Sequence, residues 1–429
     1  MRIVVVASKF PPIVGGGESI VYNQVKELGL RGHAVSVITS NFPKQYKLIK
    51  EEGLFKIHYI NGFEDFCLGK GSFRETCEYL HKTLNELKPD IVHVHNFIPM
   101  FLLSQFAKNL PSKIVFTYHN TPNPPKRILG YFDNFELDEA FAQKVMSSNS
   151  FDLLIAGSKF YYDWALRLGA NRRKVKLLYF WIDGSMFDSS LLKRRNEFRT
   201  KYRISRKKFV ITLPSRAIER KGALEAVQSL SILKKLGFTP TLFLPAFYRP
   251  FDQTYANRVK SEVNRLGIQD QIIIPKVHIP YEKMPGVYAM SNLVIMPSYY
   301  EGLGVALLEA MSMGVPTIGT RVNGIKEIIS DRQNGLLFRS KSPDELAKAI
   351  FKLSNDNDLM GKIARNGIQF IETKFSSQKI VTRLENHYNT LISKHDRKNH
   401  RFYSSRRRGS AVAATNSGAS QTTSFDGVR

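Results

Sequence analysis

Residues 301–314 read EGLGVALLEAMSMG. Glu301 opens the stretch beside Gly302, and Glu309 follows eight positions on. Gly302 and Gly304 let the backbone approach a ligand closely. A helix expected from about Val305 would offer free N–H groups and a positive dipole end, which suit a phosphate. A glutamate aimed at that phosphate would be repelled. Each acid must therefore reach past it to neutral hydroxyls, and carboxylates accept well from vicinal diols. Were the span wholly helical, the two acids would stand roughly 12 Å apart. That resembles the reach from a ribose, across a diphosphate, to a sugar ring. The plainer alternative is one capping carboxylate and one surface glutamate.

A second stretch, LPSRAIERKGALEAV (213–227), brings Arg216 and Lys221 to the end of an expected strand. Arginine can fork across phosphate oxygens and lysine acts as a compact charge. Together they would neutralise a departing nucleoside diphosphate, as a metal would; ordinary surface charge is the alternative. Glu219 and Arg220 are expected in solvent. In PPIVGGGES (11–19), Gly15, Gly16 and Gly17 separate a first strand from its helix and would admit a phosphate or sugar. The spacing is not G-x-G-x-x-G, which argues against a nicotinamide dinucleotide fingerprint; a ligand-free tight turn stays open. FTYHN (116–120) puts His119 at a strand end, where it could donate to a sugar hydroxyl. His93 and His95 alternate along VHVHN without Asp, Glu or Cys at metal-ligand spacing. They read as satisfied core histidines, His95 being better placed for a cleft.

These residues need a frame. RIVVVAS (2–8), HAVSVITS (33–40), DIVHVHN (90–96), KIVFTYHN (113–120) and FDLLIAGS (151–158) alternate with helical patterns. Continuous Val/Ile runs of this kind predict a parallel sheet covered on both faces. FVITLPS (209–215), TLFLPA (241–246), QIIIPK (271–276), NLVIMPS (292–298) and VPTIGT (315–320) repeat the logic, with helices near 222–236, 253–266 and 281–290. The expected fold is α/β: two Rossmann-like, doubly wound domains facing across a cleft. Their expected spans are 1–183 and 184–374. A helix over 375–395 would pack back on the first domain, and 396–429 would form a basic, disordered tail. Ser342, Pro343 and Glu345 form a helix-start signature. Ligands of such sheets bind beyond the carboxyl ends of the strands, where each motif above falls.

The chain has 429 residues and a formal charge of +26. Such a balance implies nucleic acid, anionic lipid or phosphorylated ligands as company. Residues 193–208 hold nine Lys/Arg against one Glu, and 394–429 hold eight against two Asp. The first run reads as a solvated helix face or a surface for a polyanion. Only Phe198 and Tyr202 interleave it, which argues against nucleic acid stacking. The loop NTPNPPKRILGYFDNF (120–135) adds aromatics beside Lys126 and Arg127, and suggests attachment to an anionic membrane surface. Cys67 and Cys77 are too few for a disulfide framework and read as reduced thiols. The first apolar run stops at Ala7, short of a secretion signal, and no window approaches the roughly 18 apolar residues of a membrane span. A cytoplasmic protein, soluble or peripheral at the inner membrane face, is expected.

The motifs, taken in order, resemble the family 4 glycosyltransferases of GT-B fold over about residues 1–393. They are the glycine-rich loop after the first strand, HN at 119–120, SRAIERKG, PSYYEGLGVALLEAM and GVPTIGT. The resemblance implies transfer of a sugar from a nucleoside diphosphate sugar, with retention, without metal or other cofactor, to a sugar, glycolipid or polyprenyl-linked hydroxyl. Cell-surface polysaccharide, glycolipid or glycoprotein glycan synthesis would be the setting. It also implies that Glu309 holds the ribose, Glu301 the transferred sugar, and Arg216 and Lys221 the diphosphate. Gly302, Leu303, Gly304 and Val305 would offer N–H groups to sugar and phosphate. His119 and Gly15–Gly17 would border the reacting sugar, and Lys276 and Val277 would flank the base. Serine stands at 215 where the family commonly has glycine. An epimerase or phosphorylase of the same fold is the nearest rival, and a nucleic-acid-binding protein the rival from another class.

Overall fold

The computed structural model describes residues 1–11, 16–40, 49–60, 72–119, 139–247, 252–277 and 279–393. Gly15, Cys67, the loop 120–135 and the tail from 394 lie outside the described residues. The chain divides into two compact units, Met1–Arg383 and Leu384–Arg429. Of the second, residues 384–393 are helical. All that follows concerns the first unit.

Its first sheet holds β1 (Arg2–Ala7), β2 (Ala34–Ser40), β3 (Ile49–Glu51), β4 (Phe55–Ile60), β5 (Ile91–His95), β6 (Lys113–Thr117), β7 (Leu153–Ala156) and β8 (Val175–Leu177). Their spatial order is β3-β4-β2-β1-β5-β6-β7-β8. The second holds β9 (Val210–Thr212), β10 (Thr241–Phe243), β11 (Ile272–Ile273), β12 (Leu293–Met296), β13 (Thr317–Thr320) and β14 (Leu336–Phe338), ordered β11-β10-β9-β12-β13-β14. Every pairing is parallel except β3 with β4. The sequence expectation lacked β3, β4, β8 and β14. The first two form a hairpin on the sheet edge, turned through Gly53 at φ +70°. β8 and β14 are three-residue pieces, too short to carry a period. QIIIPK yields only a two-residue strand, because Pro275 has no N–H for a ladder.

The chain order reverses at β1, between β2 and β5, and at β9, between β10 and β12. These are the switch points where parallel sheets open a crevice. Gly16 and Gly17 follow β1, Arg216 and Lys221 follow β9, and Glu301 follows β12. One buried apolar cluster joins the lobes behind them, from Val4 and Phe116 through Tyr161 to Leu303 and Leu307. Lys26 pairs with Asp183 at 2.7 Å. Beyond Lys374 the chain runs along the first lobe: Ile182 N–H donates to Phe375 O at 3.2 Å. Arg31 donates to Thr382 Oγ1 and Gln378 O, both at 2.9 Å.

The basic run proves partly structural. Arg199, 2% exposed, donates to Met290 O, Arg206 O and Asn292 Oδ1. Arg195 donates to Ala289 O and Ser291 O. Both close the C-terminus of the helix Met284–Met290, whose last carbonyls have no partner within the helix. They stand four apart, on one face of the helix Arg195–Lys201, and that face is turned inward. No helix among the described residues is long and apolar enough to cross a membrane.

Candidate functional site

β12 ends at Met296, and the helix Val305–Ser312 begins at Gly304, whose φ of +95° suits glycine. Among the described residues, the N–H groups of Gly302, Leu303, Gly304 and Val305 find no acceptor. They are the unsatisfied donors of a helix start and the preceding turn. Gly302 is needed for a second reason. A Cβ there would overlap the hydroxyl of Tyr161, which reaches across from the helix Lys159–Arg167 of the first lobe. Gly324 packs just as closely on the carbonyl of Gly302, and its N–H donates to Glu301 O at 3.1 Å.

Glu301 is buried, and its Oε1 takes a close ion pair from Lys221. Ser298 Oγ donates to the same oxygen at 2.8 Å, and Arg220 stands 3.9 Å away. Burial alone would raise this carboxyl. Lys221, Arg220 and Ser298 outweigh it and hold Glu301 below the usual range. Burial pushes the Lys221 ammonium down to about 8, with Arg220 and Arg216 adding repulsion against the pull of Glu301. Arg216, Arg220, Lys221 and Glu301 therefore form one electrostatic group. Arg220, expected in solvent, belongs to it and also donates to Tyr300 O at 3.4 Å. Glu219 is half-exposed and faces Arg258 at 3.5 Å.

Glu309, one turn inside the helix, is 5% exposed. Tyr281 donates to its Oε1 at 2.9 Å and Tyr288 to its Oε2 at 2.7 Å. Burial without a cation pushes its pKa up to about 7, against the two phenols.

The three histidines form a row. The His93 and His95 rings are 4.5 Å apart, and those of His95 and His119 are 5.1 Å apart and nearly coplanar in orientation at 4°. His93 is satisfied at both nitrogens, by Gln24 and Thr117 at 2.8 Å each. His95 Nδ1 meets His119 Nε2 at 2.8 Å. His119 Nδ1 is buried without a partner among the described residues. For that nitrogen to donate, His119 Nε2 must accept from a protonated His95 Nδ1. Burial drives His119 down to about 3, so the ring is neutral. Tyr161 fixes it by donating to its carbonyl at 2.5 Å, and Gly17 leaves room for its Cβ. Gly16 is exposed with open space around it, and Lys276 and Val277 lie exposed beyond β11. Among the described residues no three His, Cys, Asp or Glu side chains gather as a metal site would need.

Residues 194–370 match the model for glycosyl transferases group 1, and residues 14–185 match that for glycosyltransferase family 4. The chain belongs to the family 4 glycosyltransferases. It is 24% identical to the N-acetyl-alpha-D-glucosaminyl L-malate synthase of Bacillus anthracis, over 89% of this chain and 95% of that one. The fold is shared with the sucrose-phosphate synthase of Thermosynechococcus elongatus. The TM-score is 0.79 at 17% identity, covering 92% of this chain and 99% of that one. Anabaena HepE in complex with UDP-glucose gives 0.69 at 17% identity, covering 92% and 98%. The fold is GT-B, and the enzyme is a glycosyltransferase.

In this glycosyltransferase several site residues escaped the sequence reading. Tyr161, Tyr281, Tyr288 and Ser298 all touch a motif residue. Of these only Ser298 carries a signal that could have found it, three positions before Glu301 at a strand end. The tyrosines reach the site from other elements, and no spacing links them to it.

Proposed function

We propose that this glycosyltransferase moves a sugar from a nucleoside diphosphate sugar to an acceptor hydroxyl, with retention and without a metal. The observation that carries the reading is the cationic group Arg216, Arg220 and Lys221, set beside a turn of unsatisfied N–H groups and flanked by two buried glutamates. The cations and N–H groups suit the diphosphate, and the acids suit the hydroxyls on either side. Glu309 would take the ribose. Glu301 would take the transferred sugar through Oε2, since Oε1 is held by Lys221 and Ser298. Lys276 and Val277 would lie along the base.

The acceptor oxygen attacks the anomeric carbon on the face from which the diphosphate departs. The bond to the diphosphate oxygen breaks as the new glycosidic bond forms, and the acceptor proton passes to the leaving phosphate. The protein contributes position and charge. Glu301, tied to Lys221, is a poor covalent nucleophile, which favours this front-face course. His119 Nδ1 would donate to a hydroxyl of the reacting sugar. That UDP-glucose occupies the HepE structure supports a nucleotide-sugar donor here.

The test is a panel of nucleotide sugars scored for thermal shift and diphosphate release, with and without EDTA, and with the product anomer assigned by NMR. Release by at least one donor in EDTA with retained configuration is expected. Inversion, or loss of turnover in EDTA restored by a divalent cation, would overturn the reading.

A peripheral attachment to anionic membrane, on the cytoplasmic side, is part of the proposal. Lys201, Arg203, Arg206 and Lys207 remain exposed once Arg195 and Arg199 are set aside. Flotation with acidic but not neutral liposomes at low salt is expected, and equal recovery from both would remove the membrane.

A further inference from the structure

Both oxygens of Glu309 are taken by phenols, and the two phenols differ in how firmly they are held. Tyr288 is wholly buried within the helix Met284–Met290 and packs on Phe187, ring centres 5.9 Å apart. Tyr281 is half-buried and lies before that helix, on the single turn Tyr281–Lys283. Its hydroxyl donates to Glu309 Oε1, while Ser19 and Asn23 on the helix Gly16–Leu30 of the other lobe face it and favour its ionised form.

A ribose offers Glu309 two adjacent hydroxyls. A carboxylate has about four acceptor sites in the open, but a buried one packed against two phenols has little room for further donors, and a net hydrogen bond is only the difference between the bond made and the bond given up. Tyr288 has nowhere to go without opening the core. We infer that the Tyr281 hydroxyl stands in the place of a ribose hydroxyl on Glu309 Oε1, so that donor binding replaces one O–H donor by another and releases Tyr281. Tyr281 is thus a competitor built into the donor site. Because Ser19 and Asn23 of the first lobe also face it, its release is felt there. The inference rests on the reading of Glu309 as the ribose acceptor.

The experiment is isothermal titration of the full chain with UDP, ADP and GDP, continued with whichever binds. Four proteins are compared: wild type, Glu309→Ala, Tyr281→Phe and Tyr288→Phe, each checked by thermal melting. Glu309→Ala should weaken binding at least about tenfold, the loss of a charge-assisted hydrogen bond. Tyr288→Phe should also weaken it, because that phenol stays and orients the acid. Tyr281→Phe should tighten it about fivefold, the worth of one ordinary hydrogen bond no longer competed for. Tyr281→Leu gives the same sign should the phenylalanine variant fold poorly. Weakened or unchanged binding in both Tyr281 variants, with Glu309→Ala still impaired, would overturn the inference and make Tyr281 a support. Unchanged binding in Glu309→Ala would instead remove the ribose reading beneath it.

Discussion

Glu309 and Lys221 bracket neutrality from opposite sides. Glu309 rises to about 7 because it is buried beside neutral phenols, and Lys221 falls to about 8 because it is buried beside Arg220 and Arg216. If Glu309 takes the ribose diol and Lys221 the diphosphate, as proposed above, the free enzyme should gain donor affinity as pH rises through about 7 and lose it as pH rises through about 8. kcat/KM for the donor should be bell-shaped between those limits, since that ratio reports the free enzyme. Glu309→Gln should erase the acid limb while leaving the alkaline one, which a pH series on both proteins checks. Arg216→Ala and Lys221→Ala should each lower kcat about 100-fold, the usual cost of one group stabilising developing charge; single-turnover diphosphate release is the measurement. Both cations were legible in the sequence, Arg216 just past a strand end and Lys221 beside the glycine that starts the following helix. The contact of Lys221 with Glu301 was not, because the two come from different strand ends and are related only by the order of β9 and β12. Arg220 was misread for the same reason: Glu301, the group that draws it in, comes from a different strand end.

Elements show where local pattern and tertiary packing part company. Gly222 was expected just before a helix, and it is there, at φ +71° with its α-carbon against the carbonyl of Pro297. Gly222→Ala meets both a left-handed backbone and that carbonyl, and should cost about 2–4 kcal/mol, read by chemical denaturation. The basic run 193–208 shows the reverse. Charge density suggested a solvated face, yet Arg195 and Arg199 are spent on carbonyls at the end of a neighbouring helix. Arg199→Ala leaves the carbonyls of Met290 and Arg206 without their side-chain donor in a buried place, while Asn292 Oδ1 keeps the Val210 N–H, and should destabilise by about 3 kcal/mol. Lys201→Ala, on the exposed side of the same helix, should change stability by less than about 0.5 kcal/mol. Equal losses would return the run to the surface. The strands follow the same division: long Val/Ile runs were legible, whereas the edge hairpin β3–β4 and the short β8 and β14 take their form from neighbours.

At the scale of the whole molecule the question is what holds the two sheets' lobes closed over the site. Tyr161 reaches from the first lobe to Gly302, and Phe160 meets Tyr300 edge-on at 5.2 Å. Glu327, on the short helix Ile325–Ile328 of the second lobe, accepts from the backbone N–H groups of Lys159 and Phe160 at 2.7 Å each. It thereby caps a helix of the other lobe, with its negative charge at that helix's positive end. Burial raises its pKa even so, with the two N–H bonds and Tyr179 pulling the other way. An acid so placed stabilises the closed arrangement only, because opening returns both N–H groups and the carboxylate to water. Glu327→Ala should therefore shift the ligand-free enzyme toward open forms. A larger radius of gyration by small-angle scattering is expected, restored by saturating nucleoside diphosphate. The KM for donor should rise about fivefold, the worth of a capping interaction of ~1 kcal/mol. Glu327→Gln, which keeps one acceptor oxygen and loses the charge, should fall between the two proteins. An unchanged radius in Glu327→Ala would assign closure to the aromatic contacts of Tyr161 and Phe160 instead, and Phe160→Ala would then carry the larger effect.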